Sequence, residues 1–188
     1  MTAVRRAGIL FGLLVPIAAN VGLAAAATVG ETAPAFRAVT FAGTRLSLED
    51  FKGQVLVINF WPVGCAPCRV ELPMLDSYYQ IQKSVGLRVI VVAPDYFSRR
   101  RGLQRAASVL KISLVEQFQG DYPMLNRLPT NYVVDRAGVL RYAGSGAWTL
   151  EELNRILVPL LQEGIRAPEQ QPQGRPALAM RAAEQQLP

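Results

Sequence analysis

Apolar positions along the chain fall into a few distinct patterns. VLVINF, Val55 to Phe60, and LRVIVVA, Leu87 to Ala93, are almost continuously apolar. A strand turns successive side chains to opposite sides of its sheet, so short unbroken runs of this kind predict strands covered on both faces. From Pro67, CRVELPMLDSYYQIQKSV predicts a helix that runs to about Val85. A basic helix is expected near Ser98 to Leu110. NYVVD and VLRYA predict two short strands around the turn RAG. TLEELNRILVPLL predicts a last helix with Thr149 as N-cap and Glu152 three residues on, the spacing of a capping box. Ahead of all these, FRAVTFAGTRLSLEDFKG reads as a small hairpin and a turn. Strand, helix, strand, helix, two antiparallel strands and helix predict an α/β domain over residues 28–164, a mixed central sheet flanked by helices.

The two ends carry different patterns. Arg5 and Arg6 precede an uncharged run from Ala7 to Gly30 that contains GILFGLLVPIAANVGL and closes on alanines. Small residues stand three and one positions before a cut after Ala27. Basic, apolar and small-residue regions in this order predict a secretory signal over residues 1–27. A membrane anchor is the competing reading, since the run reaches the ~20 residues needed to span a bilayer. Pro16, Asn20 and the alanine-rich end favour cleavage. Residues 165–188 are rich in Pro, Gln and Ala and lack aromatic residues. Such a tail buries too little surface to offset its ordering entropy, and it is expected to be disordered.

Composition narrows the chemistry. The 188 residues are 51% apolar, enough for one domain with a core. There is no histidine, which excludes imidazole as ligand, general base or pH switch. The formal charge is +6, part of it from Arg5 and Arg6. The remaining excess is too mild to argue for nucleic acid. The arginines of SRRRGLQR, Arg99, Arg100, Arg101 and Arg105, suit a solvated helix face, or else docking to an acidic partner or anionic lipid.

Both cysteines lie in WPVGCAPCRVELP, as Cys65 and Cys68. A strand feeding a helix at this point puts Cys65 at the helix N-terminus. Unpaired N–H groups and the positive end of the dipole there stabilise a thiolate. Cys65 is therefore expected to attack a partner disulfide and Cys68, one turn further in, to resolve the mixed disulfide. A purely structural bridge would be poor use of the spacing: so short a loop contributes about 2 kcal/mol, against about 4 for a fifty-residue loop. Zinc needs about four soft ligands, which only an intermolecular site would supply here. A peroxidatic cysteine would want a nearby hydroxyl, and Ala66 and Pro67 offer none. Glu71, three positions after Cys68, shares its helix face and is a candidate for a buried carboxylate that tunes the thiols. The domain is expected to need no cofactor and no metal.

The segment LVINFWPVGCAPCRVELP resembles the active-site region of the TlpA/ResA/CcmG type of thioredoxin-like proteins, which are exported or membrane-anchored thiol-disulfide oxidoreductases. The similarity continues from about Val29 to Leu161, through GETAPAF, SLEDFKGQVLVINFW, APD and LPTNYVVDRAGVLRYAGSG. It implies a thioredoxin-like fold with an N-terminal hairpin extension. It implies a cis Pro129 facing the dithiol, a preceding Leu128 whose backbone meets the partner chain, and Glu71 beneath the cysteines. Trp61 and Gly64 flank the dithiol and are expected to join Leu128 and Pro129 on the substrate side. Asn59 stands where many thioredoxins carry a buried aspartate. Gly64 departs from the family's usual pattern, which has Trp directly before the first cysteine.

Two function classes follow. One is an exported, periplasmic reductant of protein disulfides, apocytochrome c or a metal-site protein among them, recharged by a membrane thiol donor. The other is a copper-binding module holding the metal through Cys65 and Cys68, against which the lack of His and nearby Met counts. A disulfide-forming oxidant on the same scaffold is the third possibility for the direction of electron flow.

Overall fold

The computed structural model describes residues 27–62, 64–93 and 100–163, with residues 100–102 described by backbone alone. The expected signal or anchor, apart from Ala27, lies outside them, as do the tail from residue 165, and Arg99.

Among the described residues, seven strands form one sheet in the order β2-β1-β5-β4-β3-β6-β7. They are β1 Phe36–Thr40, β2 Arg45–Ser47, β3 Val55–Phe60, β4 Leu87–Val92, β5 Ser113–Gly120, β6 Thr130–Val134 and β7 Leu140–Ser145. Strands β3, β4 and β5 are parallel, and the remaining pairs are antiparallel. The helices are α1 Ala66–Gln82, α2 Arg100–Val109 and α3 Leu150–Gln162. A 3-10 turn, Lys83–Val85, continues α1 to the point where the sequence places its end.

Strand β5 is the element the sequence pattern does not reveal. In SLVEQFQG only Leu114 and Val115 are buried, and the second half, apart from the half-buried Phe118, is polar or glycine and exposed. Its place comes from its neighbours: it pairs with β4 on one side and with the N-terminal hairpin on the other. Asp76 of α1 secures its start, accepting from the Lys111 and Ile112 amides at 2.6 and 2.8 Å.

The unbroken apolar runs divide between the two faces of the sheet, as the period of a strand requires. Val55, Val57 and Trp61 join one buried cluster, while Leu56, Ile58 and Phe60 join the other. All three helices contribute to the first cluster: Leu72 and Leu75 from α1, Leu103 from α2, Leu153 and Leu157 from α3. Each such leucine contributes about 1.5–3 kcal/mol by leaving water, and this holds α1 flat on the sheet. The second face is filled by aromatic rings, with Phe36 stacked on Phe118 at 5.2 Å and Tyr122 edge-on to Tyr132 at the same spacing. Thr149 and Glu152 form the expected capping box at the start of α3, with bonds of 3.2 and 2.7 Å.

Candidate active site

Three chain crossings meet at one end of the sheet. Strand β3 ends at Phe60 and runs through Trp61 into α1. Strand β6 begins at Thr130, which pairs with Phe60 and with Ser145, the last residue of β7. Trp61–Pro62, Gly64–Cys65, Leu128–Pro129 and the loop 146–149 before α3 therefore leave the sheet side by side. The carboxyl ends of parallel strands are where open α/β sheets place their ligand sites.

Cys65 and Cys68 are joined by a disulfide. Cys65 is the N-cap of α1, with extended backbone, and its sulfur accepts from the Cys68 amide at 3.2 Å. The sulfur thus occupies the place that a serine or aspartate oxygen takes in an ordinary cap. Cys65 is half-buried, whereas Cys68 is 1% exposed within the helix-side cluster. Gly64 has φ +105°, a backbone conformation that side-chain-bearing residues rarely adopt, and its position is exposed. The chain turns into the helix there with no side chain at position 64.

Glu71 is buried, 2% exposed, on the face of α1 that meets the sheet. Three N–H groups converge on its carboxyl group. Asn59 donates to Oε2 at 3.0 Å, Asn131 to Oε1 at 3.2 Å and the Trp148 amide to Oε1 at 2.8 Å. Burial pushes the carboxyl above the usual glutamate range; the Trp148, Asn59 and Asn131 donors pull it back, and the charge of Glu152 adds to the rise. A carboxyl raised in this way is a competent proton acceptor nearer neutrality than an exposed glutamate.

Asn131 and the Trp148 amide are site members that sequence reasoning missed. The signal for Asn131 is present: it interrupts the strand TNYVV, buried throughout, as Asn59 interrupts VLVINF. An amide in the middle of an apolar strand needs a partner. The two are direct cross-strand partners in the β3–β6 register and project toward the helix that carries Glu71. The Trp148 amide carries no sequence signal, because any residue supplies a backbone N–H.

The remaining expected residues lie around this centre. The Leu128–Pro129 bond is cis; Leu128 is exposed and Pro129 buried. The Pro129 carbonyl accepts from the Gly146 amide at 2.8 Å, which ties this turn to the loop before α3. Trp61 is 8% exposed, packed in the same cluster as Cys68 and Trp148, with its indole N–H unpartnered among the described residues. Val70, one turn beyond Ala66 on α1, is 78% exposed. On the basic helix, Arg105 is exposed.

The AhpC/TSA family model matches residues 29–143. The thiol-disulfide oxidoreductase ResA of Geobacillus kaustophilus is 30% identical over 139 residues, spanning 70% of this chain and 78% of that protein. The thioredoxin-like protein YneN of Bacillus subtilis is 29% identical over 136 residues, with 68% and 78% covered. Among solved structures, a thiol:disulfide interchange protein of the thioredoxin family from Chlorobium tepidum superposes with a TM-score of 0.56 at 21% identity. That match covers 70% of this chain and 96% of the other, and it supports the thioredoxin-like fold. With a Cys-x-x-Cys disulfide capping a helix on such a sheet, the chain belongs to the AhpC/TSA family, as a thiol-disulfide oxidoreductase of the ResA kind.

Proposed function

We propose that this enzyme is an exported reductant of particular protein disulfides, working outside the cytoplasm on apocytochrome c or on a protein whose metal site is built from cysteines. The observation that carries the reading is the Cys65–Cys68 pair at the N-cap of α1, with Glu71 buried one turn beyond. The reduced pair begins with a Cys65 thiolate held by the helix N-terminus. It attacks the partner disulfide: a bond forms between Cys65 and one partner sulfur, the partner bond breaks, and the other sulfur leaves as thiolate. Cys68 then loses its proton, with the Glu71 carboxylate as acceptor, and attacks the Cys65 sulfur. The Cys65–Cys68 disulfide forms and the partner leaves with two added electrons and two free sulfurs.

Export rests on Arg5, Arg6 and the uncharged run that follows them. That segment either is removed or holds the domain at the membrane through residues 7–27. Among the described residues, no helix is long and apolar enough to cross a bilayer. In an oxidising compartment the pair returns to the disulfide unless electrons arrive, so a membrane thiol donor belongs to the cycle. Leu128 and Pro129 form the edge on which the partner backbone lies, and Gly64 leaves the Cys65 side of that edge open.

Equilibrating the pair against a graded dithiothreitol series measures its reduction potential. We expect a value well below the roughly −120 mV of a strong oxidant. A value near that mark, together with efficient oxidation of reduced unfolded proteins, would show that the enzyme forms disulfides instead.

A further inference from the structure

The contacts of Asn59, Asn131 and Glu71 form a closed triangle. Asn59 donates both to Glu71 Oε2 at 3.0 Å and to Asn131 Oδ1 at 2.6 Å, and Asn131 donates to Glu71 Oε1 at 3.2 Å. This triangle has one polarity. Turning the Asn59 amide over would aim its oxygen at two other oxygens. Because the Asn131 oxygen is engaged by Asn59, its NH2 group is left for Glu71. The arrangement leaves the buried Asn59 Oδ1 without a partner among the described residues. A buried acceptor left unmatched is costly, and the triangle accepts that cost while presenting only donors to the carboxyl group. A protonated Glu71 would bring a donor of its own into this ring; a carboxylate, which only accepts, fits it.

We propose that Asn131 is a positioning residue that holds Glu71 as a carboxylate under the dithiol, and so sets the pH at which the pair becomes reactive. The proposal rests on the reading of Glu71 as the acid-base partner of the cysteines. Asn131 acts through Glu71 and touches neither sulfur in this role. Its place fits such a function, because it is two residues past Pro129 on β6, directly across from Asn59, and fully buried. Its amide also approaches the Gly146 carbonyl at 3.5 Å, in the loop whose Trp148 amide supplies the third donor. Among the described residues, the charged or titratable groups acting on Glu71 are few. Cys68 lies one turn earlier on α1 and Glu152 lies on α3; β3 and β6 present the neutral amides of Asn59 and Asn131.

The test compares N131A, E71Q and the double variant in the full chain. In the oxidised protein, where no thiol titrates, the Glu71 carboxyl is followed by carbon NMR against pH, assigned by its loss in E71Q. N131A is expected to weaken Glu71 ionisation about ten-fold, moving its midpoint up by about one on the pH scale, from the loss of one hydrogen bond to a charged group. N131D, which sets a second carboxylate beside the first, should move it further in the same direction. In the reduced protein, N131A should shift the pH profile of Cys65 alkylation in the direction that E71Q does, and should shift it no further in the E71Q background. An unmoved Glu71 titration in both N131A and N131D overturns the proposal even if E71Q alters Cys65. An equal shift of Cys65 by N131A with and without Glu71 also overturns it, since the effect would then be structural. If E71Q itself leaves the Cys65 profile unchanged, the reading of Glu71 fails, while its titration in N131A still reports on the cradle.

Discussion

At the scale of single residues, the site separates two sulfurs and two acidities. Cys65 is half-buried at the cap and Cys68 is closed into the core, so a partner sulfur reaches Cys65 first. C68S should therefore accumulate a stable mixed disulfide with a model partner, and C65S very little, as read on non-reducing gels. The reverse pattern would exchange the two roles. In the proposed cycle Glu71, three positions beyond Cys68 on α1, is the acid that acts on this pair. A carboxylate close to a thiolate opposes its formation, at about 1.4 kcal/mol for each tenfold change in proton affinity. E71Q should lower the midpoint of the Cys65 alkylation-rate profile. An unchanged midpoint would make Glu71 a structural group that fills the space between helix and sheet.

At the scale of elements, the site depends on α1 keeping its place. Leu72 and Leu75 bind it to the sheet, and Asp76 ties it to the strand that no sequence pattern announces. The Lys111 end of this tie is exposed, so water can replace the carboxylate there; Ile112 is buried and its amide would be left alone. D76A should cost about 1–3 kcal/mol, the penalty for one buried donor without a partner. D76N, which keeps an acceptor, should cost less. Urea unfolding gives the measurement, as a lower midpoint with an unchanged slope. Equal midpoints for wild type and D76A would mean that β5 is held by its ladders alone.

At the scale of the whole molecule, the buried acid couples stability to pH. The Glu71 carboxyl is raised above its usual range in the folded protein, mainly by burial. Folding then favours its protonated form. Its contribution to stability is full at low pH and is lost as pH rises through the raised folded value. In the oxidised enzyme, the stability of E71Q relative to wild type should therefore climb with pH above the ordinary glutamate range and level off beyond the folded value. How well the amide fits the ring of donors sets the offset between the two curves; the ionisation of Glu71 sets their divergence. Parallel curves across that range would show that Glu71 does not change its proton affinity on folding.

Strand runs, helix periods, the capping box of Thr149 and Glu152, and the strand-to-helix setting of Cys65 and Cys68 were legible along the chain. Each depends on residues within a few positions of one another, where backbone geometry and side-chain period act directly. Strand β5 was not legible, since it pairs through backbone groups with strands distant in the sequence, and half of its side chains face water. The surroundings of Glu71 were legible only in part. The helix position of Glu71 and the polar interruptions at Asn59 and Asn131 are written in the chain, 12 and 60 residues from the glutamate. Their meeting required β6 to return antiparallel to β3 in one register, which sets Asn131 across from Asn59 and under α1. A slip of one residue would turn Asn131 to the aromatic face of the sheet and leave the carboxyl with one donor fewer. The sequence by itself thus determined the redox pair and the elements that carry it, because those depend on near neighbours. Only the tertiary structure decided which distant amides surround the acid, because strand register is settled by the packing of both faces at once.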